Sequence, residues 1–374
     1  MYHNTKEHPL QPQRVDHRRL NILLDRIRLE IDNGTLPSAQ VSVSVNDEEY
    51  AFEAFGQATT DTRYVLQSAG RPVVAGVVWK LISDGLLDIS RSVASYIPEF
   101  GSNGKDIVTV EQVLTHMGGF PLAPLAFPQM LDRDKRLEAF AKWRLTSAPG
   151  TKLEFHLTSA AWVIAELCQR VTGSPISEYL RSTLTEPLHL DSIEIGPPLA
   201  AQDNVAPFVR VGAADDNSEV YPWGPWYLAR PEILAAGEPS HSMVANASDL
   251  ARWYQALMHS PLWRRDVVED ALRIRVRLPI EGERGGTASV PGNIALFVAV
   301  VGDDGLSRAF LPTATGPTTF GHGGAPCQIA FGDPSTGLSF AFLTNGYPPS
   351  GYDQSRAGLN RIINIANLAA DCLA

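Results

Sequence analysis

The stretch Tyr64–Ile89, YVLQSAGRPVVAGVVWKLISDGLLDI, decides how the rest of the chain is read. After Pro72 its apolar residues Val74, Val77, Val78, Leu81 and Ile82 recur at helical spacing, which predicts a buried helix. Gly85 then ends it, because glycine takes the left-handed turn that closes a helix at little cost. Ser68 stands at the start, where the first unpaired N–H groups and the positive end of the dipole point. A serine there is either an oxyanion-stabilised nucleophile or a helix N-cap, and helix grammar alone leaves both open.

Composition bounds the surroundings of that helix. The chain has 374 residues, 44% of them hydrophobic, enough for a large core in one domain or two. A net charge of -10 argues against nucleic acid or an anionic membrane as partner and leaves a small-molecule substrate. Cys168, Cys327 and Cys372 share no close spacing, which suggests a reducing compartment without a disulfide framework. The N-terminus MYHNTKEHPLQPQRVDHRRL has no apolar leader segment, and no run of eighteen apolar residues occurs. The expectation is a soluble cytoplasmic protein.

In chain order, residues 1–13 read as a tail. Leu20, Leu23, Leu24, Ile27 and Ile31 mark an amphipathic helix closed by Asn33-Gly34. AQVSVSV alternates as a half-buried strand, and Asn46-Asp47-Glu48 turns it into a second strand, YAFEAFG. Matching strands are expected at NIALFVAVVG (293–302), PCQIAFGD (326–333) and GLSFAFLTN (337–345), with a terminal helix over 353–373. The fold class is therefore α+β, an antiparallel sheet flanked by helices. One sheet-centred lobe, about 14–65 and 281–374, carries an inserted and mostly helical lobe, about 66–280, within a single 1–374 unit.

Ser68, Pro72, Gly85 and Leu87-Asp88-Ile89 resemble the active-site helix of the serine β-lactamase and penicillin-binding-protein superfamily, in particular its class C and esterase branch. LTHMGGF (114–120), PGTKLEFH (149–156), QRVTG (169–173), NASDLARWYQALM (246–258) and FGHGGAP (320–326) are similar to further blocks of that family, in the same order. The resemblance covers nearly the whole chain and implies the same two-lobe architecture. It fails at one place that matters: the lysine of Ser-x-x-Lys is Arg71.

A lysine there accepts the serine proton once its pKa is lowered, whereas a guanidinium stays protonated. Arg71 is left to stabilise an alkoxide, an ester carbonyl or a substrate anion. Lys80 is no substitute, lying about 18 Å further along the helix. The family's second proton-transfer group, a tyrosine, corresponds to Phe155, and the asparagine often found after it corresponds to Leu157. His156 has a suitable ring for a base or for a structural hydrogen bond. The resemblance implies that His322 orients the nucleophile or binds a carboxylate, and that the backbone of Gly324 or Ala325 completes an oxyanion hole with the N–H of Ser68. His116 reads as a loop tie.

The Pro- and aromatic-rich segments GGFPLAPLAFPQM (118–130) and YPWGPWYLARP (221–231) either line an apolar pocket or pack on their own lobe. Glu154, Asp215 and Asp216 read as solvated charges. No Gly-x-Ser-x-Gly elbow, phosphate loop, dinucleotide fingerprint or His-Glu-x-x-His occurs, so neither a cofactor nor a metal is expected. Two functions follow. One is a serine hydrolase or transacylase acting on a small ester, lactone or amide through Ser68, with Arg71, His322 and His156 assisting and without true β-lactamase activity. The other is a catalytically impaired relative that binds a small molecule or a protein in the retained cleft.

Overall fold

The computed structural model describes residues 14–211, 227, 229–277, 279–280, 290–291, 293–303, 311–325, 328–347 and 352–373. The expected tail over 1–13, Asp215 and Asp216, residues 221–226, Pro326 and Cys327 lie outside the described residues. Its helices of ten residues or more are α1 (His17–Asp32), α2 (Arg71–Ser83), α3 (Arg133–Lys142), α4 (Ser159–Thr172), α5 (Ala247–His259) and α6 (Tyr352–Ala370). The strands that build the main sheet and the site are β1 (Ser38–Val45), β2 (Glu48–Gly56), β3 (Tyr64–Val65), β4 (Glu194–Ile195), β5 (Met243–Ala245), β6 (Ala299–Val300), β7 (Phe320–Gly324), β8 (Gln328–Asp333) and β9 (Leu338–Thr344). Among the described residues the main sheet has six strands in the order β2-β1-β9-β8-β7-β6, all antiparallel.

The sheet is built from both ends of the sequence because β1 pairs with β9, Ala39 opposite Thr344 and Val45 opposite Leu338. The β1–β2 hairpin turns at Asn46 (φ 50°) and Asp47 (φ 67°). Two successive left-handed residues match the twist of the flanking strands, which is why an Asn-Asp pair serves there. α1 starts on Asp16, whose carboxylate accepts from the N–H groups of Arg18 and Arg19, and ends at Asn33 before Gly34 (φ 68°). Together α1 and α6 cover one face of the sheet, burying Leu23, Ile27, Ile362 and Ile365 against Val41, Val43, Phe340 and Phe342.

Two strand expectations change. β1 is buried on both faces rather than half-buried, since α5 packs on the face opposite α1. Its buried Gln40 is satisfied there: Oε1 accepts from Ala247 N at 3.0 Å. On α5, Gln255 Nε2 donates to Ser44 O (3.2 Å), Gly337 O (2.9 Å) and Ser339 Oγ (2.8 Å), while its Oε1 accepts from Asp47 N (2.9 Å). Buried polar groups remain where every donor and acceptor is matched. The run 293–302 forms a strand only at β6, because its backbone is drawn into the interior. Phe297 takes φ 64°, its N–H donates to Leu114 O at 3.0 Å, and Leu296 O accepts from Trp79 Nε1 at 3.1 Å.

Helix α2 is the axis of the other core. Val73, Val74, Val77, Val78, Trp79 and Leu81 are buried in one cluster with α4, α5 and the 93–143 segment. Gly76 lets α2 close on α5, since a Cβ there would meet the Trp253 ring at 2.4 Å. Segment 118–130 also belongs to this core: Phe120, Leu125 and Met130 are buried, and Trp143 Nε1 donates to Pro124 O at 2.8 Å. Among the described residues no helix is long and apolar enough to cross a membrane.

Replacing Gln255 by leucine would take one hydrogen bond each from the buried carbonyls of Ser44 and Gly337 and leave the Asp47 N–H without its side-chain acceptor. Q255L is expected to lose about 2–3 kcal/mol of stability in urea denaturation. A loss below about 0.5 kcal/mol would show that these bonds contribute little.

Candidate active site

Ser68 is half-buried and lies in a 3₁₀ turn, Gln67–Gly70, that runs directly into α2. The residue at the N-cap of α2 is Gly70, and no side chain caps either the turn or the helix. The N-cap alternative for Ser68 is thereby removed. Gln67, immediately before it, sits at φ 53°, in the left-handed region that a non-glycine residue enters at a cost of about 1–3 kcal/mol. Such strain persists only where the surroundings enforce it.

Those surroundings are two strands. Leu66 N–H donates to Met243 O at 2.8 Å, continuing the β3–β5 pairing in which Tyr64 faces Ala245 and Val65 faces Val244. From the other side comes β7. It pairs with β6 only at Phe320 and Gly321, so past Gly321 its edge meets the 67–70 turn instead of a strand. A Cβ on Gly324 would stand 2.5 Å from Leu66 O, so only glycine lets the two backbones approach this closely. Gly324 ends β7 and Ala325 follows it, half-buried.

Arg71 reaches into the protein and is wholly buried. Its Nη2 donates to Leu157 O at 2.5 Å and to His156 O at 3.3 Å. The guanidinium carbon lies 4.5 Å from the centre of the Phe155 ring and 5.2 Å from that of Phe297. Nε and Nη1 have no hydrogen-bond partner. Burial pulls the guanidinium down to about 10, opposed by the negative charge of Glu238, so it stays cationic at neutral pH. Among the described residues no hydrogen bond joins Ser68 Oγ to Arg71, His156 or His322.

Phe155 thus occupies its position as a face for the cation, with the His116 ring 4.6 Å and the His322 ring 6.1 Å from its own. His156 has both ring nitrogens engaged. Nδ1 donates to Glu154 O at 2.7 Å, and Nε2 accepts from Phe120 N at 3.2 Å. Those partners hold it neutral with the proton on Nδ1 and leave neither nitrogen for Ser68. His116 ties loops: its Nδ1 accepts from His156 N at 3.1 Å. His322 donates from Nδ1 to Gly323 O at 2.6 Å, which makes Nε2 its acceptor nitrogen. Glu154 is partly buried rather than freely solvated, held by Ser147 Oγ and Lys152 Nζ at 2.8 and 3.0 Å.

All three rings are depressed, first by burial and then by the nearby Arg71 charge: His116 well below its usual range, His322 to about 3. Burial likewise takes His156 to about 4. His241 adds to the depression of His322.

His241 belongs to a group outside the sequence motifs, the loop Glu238-Pro-Ser-His241 that enters β5. Glu238, Ser240 and His241 are all buried. The carboxylate of Glu238 accepts from His241 Nδ1 at 2.8 Å. Ser240 Oγ lies 2.9 Å from both Glu238 oxygens and 2.8 Å from Leu157 O, the carbonyl that Arg71 also uses. The available sequence signal was three chemistry-bearing residues within four positions, directly ahead of the NASDLARW block.

Compared with known proteins, residues 25–365 match the family model described as Beta-lactamase. The chain is 28% identical to Esterase/beta-lactamase LipL of Mycobacterium tuberculosis (strain ATCC 25618 / H37Rv), over 77% of this chain and 70% of that protein. Esterase EstB of Burkholderia gladioli is 24% identical over 76% of this chain and 78% of its own length. A solved penicillin-binding protein homolog from Caulobacter crescentus superposes with a TM-score of 0.78 at 24% identity, covering 95% of this chain and 99% of that one.

The three depressed imidazoles make stability pH-dependent. An unfolded chain binds their protons near pH 6.5 and the folded chain does not, so stability is full above that pH and falls as pH drops toward 4. The expected slope is up to about 1.4 kcal/mol per pH unit for each histidine, read from urea midpoints between pH 7 and 4.5. A flat profile across that range would refute a neutral-histidine core.

Proposed function

The chain belongs to the Beta-lactamase family, and we propose that it is a serine hydrolase or transacylase of the esterase and amidase kind. Its substrate would be a small ester, lactone or amide, attacked by Ser68. The observation that carries this reading is the seat of Ser68, a half-buried serine in a strained turn, held by Leu66 against the edge of β7. That seat costs stability and serves no capping role, as expected of a nucleophile placed for reaction. The names of LipL and EstB point the same way.

In this reading the N–H of Ser68 and the backbone at Gly324 or Ala325 receive the developing oxyanion. Arg71 supplies a fixed positive field from beneath the helix, with Phe155 as its platform. It takes no proton. His156 positions the 116–120 and 154–157 loops through its two backbone bonds. His322, with Nε2 as acceptor nitrogen, orients the substrate or the leaving group beside β7. True β-lactamase activity is not expected, because its deacylation needs an activated water and the lysine and tyrosine that would serve are Arg71 and Phe155.

A second reading has its own observation: Arg71 is committed to two carbonyls and two rings and, among the described residues, makes no hydrogen bond to Ser68. A cleft that only binds would look the same around Arg71. Labelling with a fluorophosphonate separates the two. The native chain is expected to form an adduct and to give a burst with a para-nitrophenyl ester, and Ser68→Ala to lose both. Equal, slow background from the two proteins would leave the binding reading. Arg71→Lys is expected to bring no rise in turnover, since position 71 points into the carbonyls of 156 and 157. A clear rise would mean that the arginine displaced a working base.

A further inference from the structure

The serine needs a proton acceptor, and Arg71, Phe155 and His156 do not provide one: Arg71 is cationic, Phe155 has no hydroxyl, and both nitrogens of His156 are engaged. His322 keeps Nε2 as an acceptor nitrogen, but its Nδ1 bonds to a backbone carbonyl and not to a carboxylate. The Glu238–His241 pair has what they lack. A carboxylate only accepts, so the 2.8 Å contact places the proton of His241 on Nδ1 and leaves Nε2 as the basic nitrogen. This is the arrangement by which a buried acid sets the tautomer of a catalytic histidine and stabilises the imidazolium that forms.

Position supports the same assignment. Tyr64 faces Ala245, Val65 faces Val244, and Leu66 bonds to Met243, so the pairing runs up to the Ser68 turn on one side and begins two residues after His241 on the other. Gly70 also abuts Met243, a Cβ there standing 3.0 Å from its Sδ. On the other flank, His322 stands on β7, the strand that packs on the Ser68 turn, and His241 is near enough to oppose its protonation. The loop is anchored beneath by Ser240, whose Oγ donates toward Leu157 O, beside Arg71. Ser240 itself is not a second nucleophile. It is fully buried and shares Nδ1 of His241 with Glu238, so no separate nitrogen is available to take its proton.

We propose that His241, backed by Glu238, is the general base for Ser68, a Ser–His–Glu relay built from the turn before α2 and the loop before β5. The proposal rests on the serine-hydrolase reading above. As Ser68 Oγ bonds to the substrate carbonyl carbon, its proton passes to His241 Nε2 and the carbonyl π pair moves onto oxygen. Collapse re-forms the C=O and breaks the bond to the leaving alkoxide or amine, which takes the proton from His241. Water then enters by the same route: its proton goes to Nε2, its oxygen bonds to the acyl carbon, and Ser68 leaves reprotonated. Glu238 is a positioning residue, and Arg71 offsets its charge from behind.

The test is the second-order rate of fluorophosphonate labelling in the full chain. His241→Gln keeps a donor for Glu238 and is expected to label about 100-fold more slowly or worse, with a thermal midpoint near that of the native chain. In His241→Ala, added imidazole should restore part of the rate, which a merely structural histidine would not allow. Glu238→Gln should lower kcat for a para-nitrophenyl ester while leaving KM in place. Native-rate labelling of His241→Gln, or a loss in His241→Ala that imidazole does not relieve, would overturn the relay while Ser68 chemistry stood. A native chain that does not label at all would instead remove the hydrolase reading, and the relay with it.

Discussion

A full positive charge lies in the centre of this protein, and much of the site is arranged around it. Arg71 is wholly buried, and taking a cation out of water costs several kcal/mol even after relaxation. Two backbone carbonyls, two aromatic faces and the more distant carboxylate of Glu238 offset that cost. Charge-assisted hydrogen bonds contribute about 1.5–3 kcal/mol each and a desolvated cation–π contact about 2. The balance holds only if the 155–157 segment presents both its carbonyls and its ring to the same guanidinium.

From that constraint the histidines follow. With a fixed cation nearby and little water, an imidazolium at 116, 156 or 322 would add like charge to a poorly screened interior, so each ring stays neutral. Neutral rings can accept as well as donate, and two of them use this to tie the 116–120 loop to the 154–157 loop. The same cation makes a buried carboxylate tolerable at Glu238. A single replacement in Ser-x-x-Lys is thus matched beside the guanidinium by Glu238-Pro-Ser-His241, which brings both charge balance and an imidazole.

The fold was readable where local chemistry and the tertiary role agree. The first helix, the Asn-Asp hairpin, the strands around 330 and 340 and the helix beginning at Asn246 all carry periodicity together with a turn or cap residue. Reading failed where the interior claimed the backbone. The run 293–302 has a strand's composition, yet its N–H and C=O groups serve Leu114 and Trp79, so all but two residues leave the ladder. β1 alternates as a one-sided strand does, but its Gln40 and the Ser44 carbonyl are met by α5. Alternation records which side chains are polar, not whether a second layer arrives to satisfy them.

By itself the sequence determined the nucleophile candidate and the loss of the usual base at position 71, because each is a matter of residue identity and spacing along one segment. Only the tertiary structure decided that Ser68 caps nothing, that Arg71 faces inward, that His156 is fully engaged and that Glu238 and His241 stand beside them. Those outcomes depend on which backbone groups from distant segments converge on a side chain, and the order of residues along a chain does not specify that convergence.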